Sequence, residues 1–166
     1  MATRNNPGDP SVTDREVVIS RLIEAPRDVV FEAFTEVRHL SQWWGPTGFS
    51  TTTRAFEFRE GSSWDFVMHA PDGSDFPNWI TWRQIVRPEH IALLHGESAD
   101  DPDAFESLLT FEDHGDRTRV VMRTVFPTAE LRDQAVEEFH AIEGGEQTLG
   151  RLAAYVPSID HEEVRR

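Results

Sequence analysis

The chain has 166 residues, 38% of them hydrophobic, and carries 30 acidic against 16 basic side chains for a formal net charge of −14. It contains no Cys, and every one of its 16 basic residues is Arg, so disulfides, thiolate nucleophiles, iron–sulfur clusters, Schiff-base lysines and pyridoxal phosphate anchors are all excluded. The negative charge disfavours nucleic acid and anionic membrane surfaces as partners, and no run of residues reads as a secretory leader or a membrane span, so a cytoplasmic location is expected.

Residues 1–14 are polar and rich in Pro, Asn and Asp, and read as a flexible tail. The segment 15–24 is rich in Val and Ile and predicts a strand. Pro26 then suits the start of a helix, where its missing N–H costs nothing, and Val30, Ala33, Phe34 and Val37 recur at helical spacing. A second short helix, 38–44, stops at Gly45-Pro46. From residue 50 to 126 the period changes to two. Six successive strands are predicted, separated by turn signals at Gly61, Pro71-Asp72-Gly73, Arg87-Pro88-Glu89, the acidic run 97–103 and His114-Gly115-Asp116, as in an antiparallel meander. Residues 128–156 keep three- and four-residue apolar spacing through Leu131, Ala135, Phe139, Ile142, Leu149 and Leu152, and predict one long helix capped by Thr128. Gly144-Gly145 sits inside it, and two glycines in a helix interior call for a local bend or a close backbone approach. Residues 157–166 read as a second tail, which leaves one domain over 15–156.

Short motifs punctuate these elements: Ala25-Pro26-Arg27-Asp28-Val29-Val30-Phe31, Trp43-Trp44-Gly45-Pro46, Phe56-Glu57-Phe58-Arg59-Glu60-Gly61, Met68-His69-Ala70-Pro71-Asp72-Gly73, Val86-Arg87-Pro88-Glu89-His90-Ile91, and Gly144-Gly145-Glu146-Gln147-Thr148-Leu149-Gly150-Arg151-Leu152. With their order along the chain, they resemble the START-like helix-grip superfamily, which includes the polyketide cyclases and aromatases and the Bet v-like proteins. Within it the match is to the branch named after the activator of the heat-shock-protein-90 ATPase. The resemblance implies an α+β fold: a curved antiparallel β-sheet wrapped around a long C-terminal helix, two short helices after the first strand, and a cavity between sheet and helix. Many relatives carry Gly-Trp where this chain has Gly144-Gly145, so the loss of that aromatic implies more space beneath the helix.

Alternation puts Trp64, Phe66 and Met68 on one sheet face, with Ile80, Trp82, Val120 and Met122 joining them; such a wall fits a flat apolar ligand as well as it fits a core. Of Trp43 and Trp44, one anchors the helix pair and the other borders a cavity mouth, with Trp43 carried as the lining candidate. His95 is expected to point inward with Leu93, and His69 outward. Phe139 on the apolar stripe, and Glu143 and Glu146 beside the double glycine, complete the candidate ligand contacts, the two carboxylates as polar partners or acid–base groups. Glu137-x-x-His140 is a single motif where a di-metal site needs two, and the 97–103 run lacks the ligand spacing of a calcium loop, so neither metal nor cofactor is expected. No nucleophile motif is present.

The first expectation is therefore a non-enzymatic domain, monomeric or homodimeric, that binds an apolar or aromatic small molecule. The alternatives are a protein-interaction module with a chaperone as partner, and a cyclase- or aromatase-type enzyme using a pocket Glu or His.

Overall fold

The computed structural model describes residues 14–159, so the two expected tails lie largely outside the described residues. The elements run β1 (Glu16–Ile23), α1 (Arg27–Glu32), α2 (Val37–Trp43), β2 (Ser50–Phe56), β3 (Ser63–His69), β4 (Asp75–Val86), β5 (His90–Gly96), β6 (Phe105–His114), β7 (Arg117–Val125), α3 (Ala129–Glu137) and α4 (Ala141–Tyr155), closed by a 3₁₀ turn at Val156–Ser158. All seven strands form one antiparallel sheet in the order β1-β7-β6-β5-β4-β3-β2. This is the expected α+β arrangement, with two short helices after the first strand and the six-strand meander β2–β7.

Period-two patterning sets the two faces. Val17, Ile19 and Ile23 of β1 are buried while Val18 and Ser20 between them are exposed. The register carries the alternation across the sheet, since Trp64 lies opposite Ile80, Trp82 opposite Leu93, and Phe111 opposite Val120. These residues face α1, α2 and the second half of α4. Val30, Phe31, Phe34, Leu40, Trp43, Leu149 and Leu152 close over them to form the core, which extends past α4 to Val156 and Ile159. The Phe111 ring meets those of Phe31 and Phe34 at 5.2 and 5.3 Å between centroids. Fully burying side chains of this size contributes about 1.5–3 kcal/mol each, so this end of the sheet holds the molecule together.

The predicted helix 128–156 is two helices. Thr128 does cap the first, its Oγ1 accepting the Leu131 N–H at 3.1 Å, but α3 ends at Glu137 and α4 begins at Ala141. The break falls at His140, whose φ of 53° is left-handed, and not at Gly144-Gly145. Both glycines lie within α4, where the expected close approach is realised. A Cβ on Gly145 would stand 2.0 Å from Ile19 Cδ1, so this turn of α4 rests on β1 with no room for a side chain unless Ile19 moves.

A candidate ligand pocket

Along the inner face of β6 the side chains run Phe105, Ser107, Leu109, Phe111, and Ser107 lies opposite Thr124 of β7. Small polar side chains here, and glycines on the helix above, leave unfilled the space that Phe111 and Val120 occupy further along the same strands. The result is a pocket of about 410 Å³ between the sheet and the α3–α4 junction. Val17, Ile19, Leu93, Leu109 and Met122 form its floor, Phe105, Phe126, Phe139 and Ala135 one side, and Trp44, Gly45, Pro46 and Met68 the other. Gly144, Gly145 and Thr148 of α4 form the roof. No Asp, Glu or Arg is among the lining residues, although acidic and basic residues number 30 and 16 in the chain.

The polar groups inside are few. Ser107 and Thr124 hydroxyls bond each other at 3.1 Å, and Thr148 Oγ1 donates to the Gly144 carbonyl at 2.8 Å. His95 stands in a cage of rings, 4.8 Å from Phe105, 6.2 Å from Phe66 and 6.3 Å from Trp44 between centroids, with Nε2 2.7 Å from Asn78 Oδ1. Burial pushes its imidazole down to about 4, against a smaller upward pull from the Asp101 carboxylate, so the ring is neutral near pH 7. The wall made by Trp44, Gly45 and Pro46 is fixed from behind by Arg151. Its guanidinium donates to the carbonyls of Trp44, Gly45 and Pro46 at 2.9–3.1 Å and to that of Gln42 at 3.2 Å. Desolvation lowers the Arg151 pKa, yet the group stays charged.

Of the thirteen expected contacts, the pocket collects Met68, Leu93, His95, Met122 and Phe139. Trp64, Phe66, Ile80, Trp82 and Val120 share the predicted face but are fully buried in the core and do not line the pocket, because other elements cover that part of the sheet. Trp43 and Trp44 exchange roles. Trp43 is the anchor, 1% exposed with Nε1 donating to the Ala33 carbonyl at 3.1 Å, and Trp44 faces the pocket. Glu143 and Glu146 are exposed and line a separate shallow groove with Arg21, Gln147 and Arg151, since a helix resting on β1 through Gly145 must turn these positions outward. Sequence reasoning missed Val17, Ile19, Phe105, Ser107 and Thr124. The available signal was two small polar residues at inward positions of adjacent strands, below the two glycines.

Other polar clusters are satisfied internally. His69 is on the outer face as expected, with Nδ1 2.7 Å from Asp75 and Nε2 2.8 Å from Thr52. Glu32, Glu36 and His39 bring three ligand-type atoms within 4.8 Å of one another. There Arg87 bonds Glu32 at 2.9 Å, Arg38 bonds Glu36 at 2.7 Å, and His39 Nδ1 lies 2.6 Å from Tyr155 Oη, so the cluster ties α1 and α2 to the turn after β4 and to α4. Among the described residues no helix is long and apolar enough to cross a membrane.

A family model described as Activator of Hsp90 ATPase homolog 1-like protein matches residues 24–157. Among solved structures, a protein from Arthrobacter aurescens is 23% identical with a TM-score of 0.80, over 92% of this chain and 94% of that one. One from Mycobacterium smegmatis is 21% identical with a TM-score of 0.78, over 89% and 94%. A protein from Silicibacter pomeroyi described by the same family's name is 19% identical with a TM-score of 0.67, over 84% and 95%. At these identities the likeness is one of fold. No curated protein matches the sequence.

Proposed function

The chain belongs to the family of Activator of Hsp90 ATPase homolog 1-like proteins, and from the pocket it builds on that family's fold we propose that it binds an apolar, ring-containing small molecule beneath α4 without transforming it. The observation that carries this reading is the pocket itself: about 410 Å³ walled by aromatic, aliphatic and thioether side chains and lacking any carboxylate or guanidinium. That volume falls within the range of small-molecule sites, roughly 300–1,000 Å³. Filling the space would have required only larger side chains at Ser107, Thr124 or Gly144.

A binding role is favoured over the cyclase-type alternative by the position of the carboxylates. Glu143 and Glu146 lie outside the pocket, and His95 is too weak a base near neutral pH to draw a proton efficiently. A chaperone-directed role rests on the family description alone, and the exposed large apolar residues Val18, Phe76 and Phe139 lie on three separate parts of the fold.

The chain supplies its own probe. It has three methionines, and two of them, Met68 and Met122, line the pocket. With ¹³C-methyl methionine, titration with the neutral fluorophore N-phenyl-1-naphthylamine is expected to move both pocket signals together with saturable fluorescence enhancement. Met122→Trp, which fills the pocket, is expected to abolish both responses. Unmoved Met68 and Met122 signals at saturating probe would refute the reading.

A further inference from the structure

The hydrogen bonds around His95 fix which ring nitrogen the protein leaves unpartnered. Asn78 Nδ2 donates to the Phe76 carbonyl at 2.9 Å, which leaves Asn78 Oδ1 as the atom turned to His95 Nε2 at 2.7 Å. An amide oxygen only accepts, so the proton of the neutral imidazole sits on Nε2, and Nδ1 carries the lone pair. Among the described residues no protein donor reaches Nδ1, and His95 lines the pocket. The Ser107 and Thr124 hydroxyls bond each other and Thr148 Oγ1 donates to the Gly144 carbonyl, so each is held by a protein partner while its oxygen keeps an unused lone pair. His140 is exposed at the rim. Among the pocket's acceptors, His95 Nδ1 is the one with no protein partner and, unlike the hydroxyls, it can only accept. The tilted rings around His95 hold it in place without adding charge.

The absence of charge from the lining sets a second condition. An ion moved from water into this pocket would lose part of its hydration and meet no Asp, Glu or Arg in the lining, which makes its burial unfavourable. A neutral donor loses far less and regains a hydrogen bond at Nδ1.

We propose that the pocket selects uncharged ring compounds that carry a hydrogen-bond donor, a phenolic or alcoholic hydroxyl, and that His95 Nδ1 accepts that donor. This rests on the pocket being a binding site, and it adds which members of the apolar class are bound and which residue discriminates them.

Three matched probes separate the two levels: 4-phenylphenol, 4-methoxybiphenyl and biphenyl-4-carboxylate, each titrated near pH 7 against the ¹³C-methyl signals of Met68 and Met122. The phenol is expected to bind about tenfold more tightly than its methyl ether, the equivalent of one net hydrogen bond, and the carboxylate more weakly than either. His95→Phe is expected to bring the phenol-to-ether ratio close to one, whereas His95→Gln, which keeps an amide oxygen acceptor, retains part of the preference. Equal binding of phenol and ether by the natural chain, an unchanged ratio in His95→Phe, or carboxylate binding as tight as the phenol overturns the proposal while leaving the pocket as an apolar site. If none of the three probes moves either methionine signal, both the proposal and the pocket reading fall.

Discussion

His95 shows how far surroundings change a side chain that sequence can only place on a strand. In the unfolded chain it titrates near 6.5, and in the folded protein burial holds it at about 4. Between those values the unfolded state binds a proton that the folded state does not, so stability is full above about pH 6.5 and falls as the pH drops towards 4. His39, also lowered mainly by burial, adds to the loss in the same direction. Urea unfolding is expected to show about 2 kcal/mol less stability near pH 5 than near pH 7 from His95. His95→Phe should flatten most of that slope and leave the part due to His39, and an unchanged slope would show that His95 is not held neutral. The inward position of His95 was legible from strand alternation, whereas its protonation was not, because the rings that enclose it come from the residue after α2, from β3 and from β6. The same limit explains the exchange of Trp43 and Trp44. Both rings are buried, and only the packing of α2 and the residue that ends it decides that Trp43 is sealed in the core at 1% exposed while Trp44, at 8%, also borders the pocket.

At the level of elements, α3 and α4 read as one helix because apolar spacing continues through both. What separates them is burial. No residue of α3 is buried, while Thr148, Leu149 and Leu152 of α4 are, so α4 is fixed by packing and α3 is held mainly by its Thr128 cap and Arg132, which reaches the Glu16 carbonyl at 3.3 Å. Local stability follows buried contact, so amide exchange in α3 is expected to be faster than in α4 or β5–β7 by orders of magnitude. Thr128→Ala, which removes a cap worth about 1 kcal/mol, should speed exchange across α3 while leaving the melting temperature nearly unchanged. Equal protection in the two helices, or a large fall in melting temperature, would contradict this. Since Ala135 and Phe139 line the pocket, ligand binding is expected to slow exchange in this same segment.

At the scale of the whole molecule, the net charge of −14 lies outside the pocket, and the ion pairs that offset it are mostly exposed, such as Arg59–Glu57 and Arg38–Glu36. Exposed pairs contribute little and self-repulsion is screened by salt, so the melting temperature is expected to rise by several degrees between about 0.02 M and about 0.5 M NaCl. A fall over that range would mean that the ion pairs outweigh the repulsion. The Val- and Ile-rich segment 15–24, the alternation of residues 50–126, the turn signals and the short motifs determined the seven-strand sheet, its flanking helices and the family, because strand period and turn chemistry are local properties that each segment carries alone. The double glycine also located the space beneath α4. Which part of the aromatic face became core and which became pocket was decided only by the tertiary structure. Trp64 and Trp82 have the same local pattern as Met68 and Leu93, and they differ only in whether the α1–α2 pair lies over them or the glycine-lined turn of α4 leaves room. Burial is settled by what packs on a face from distant parts of the chain, and no local period encodes it.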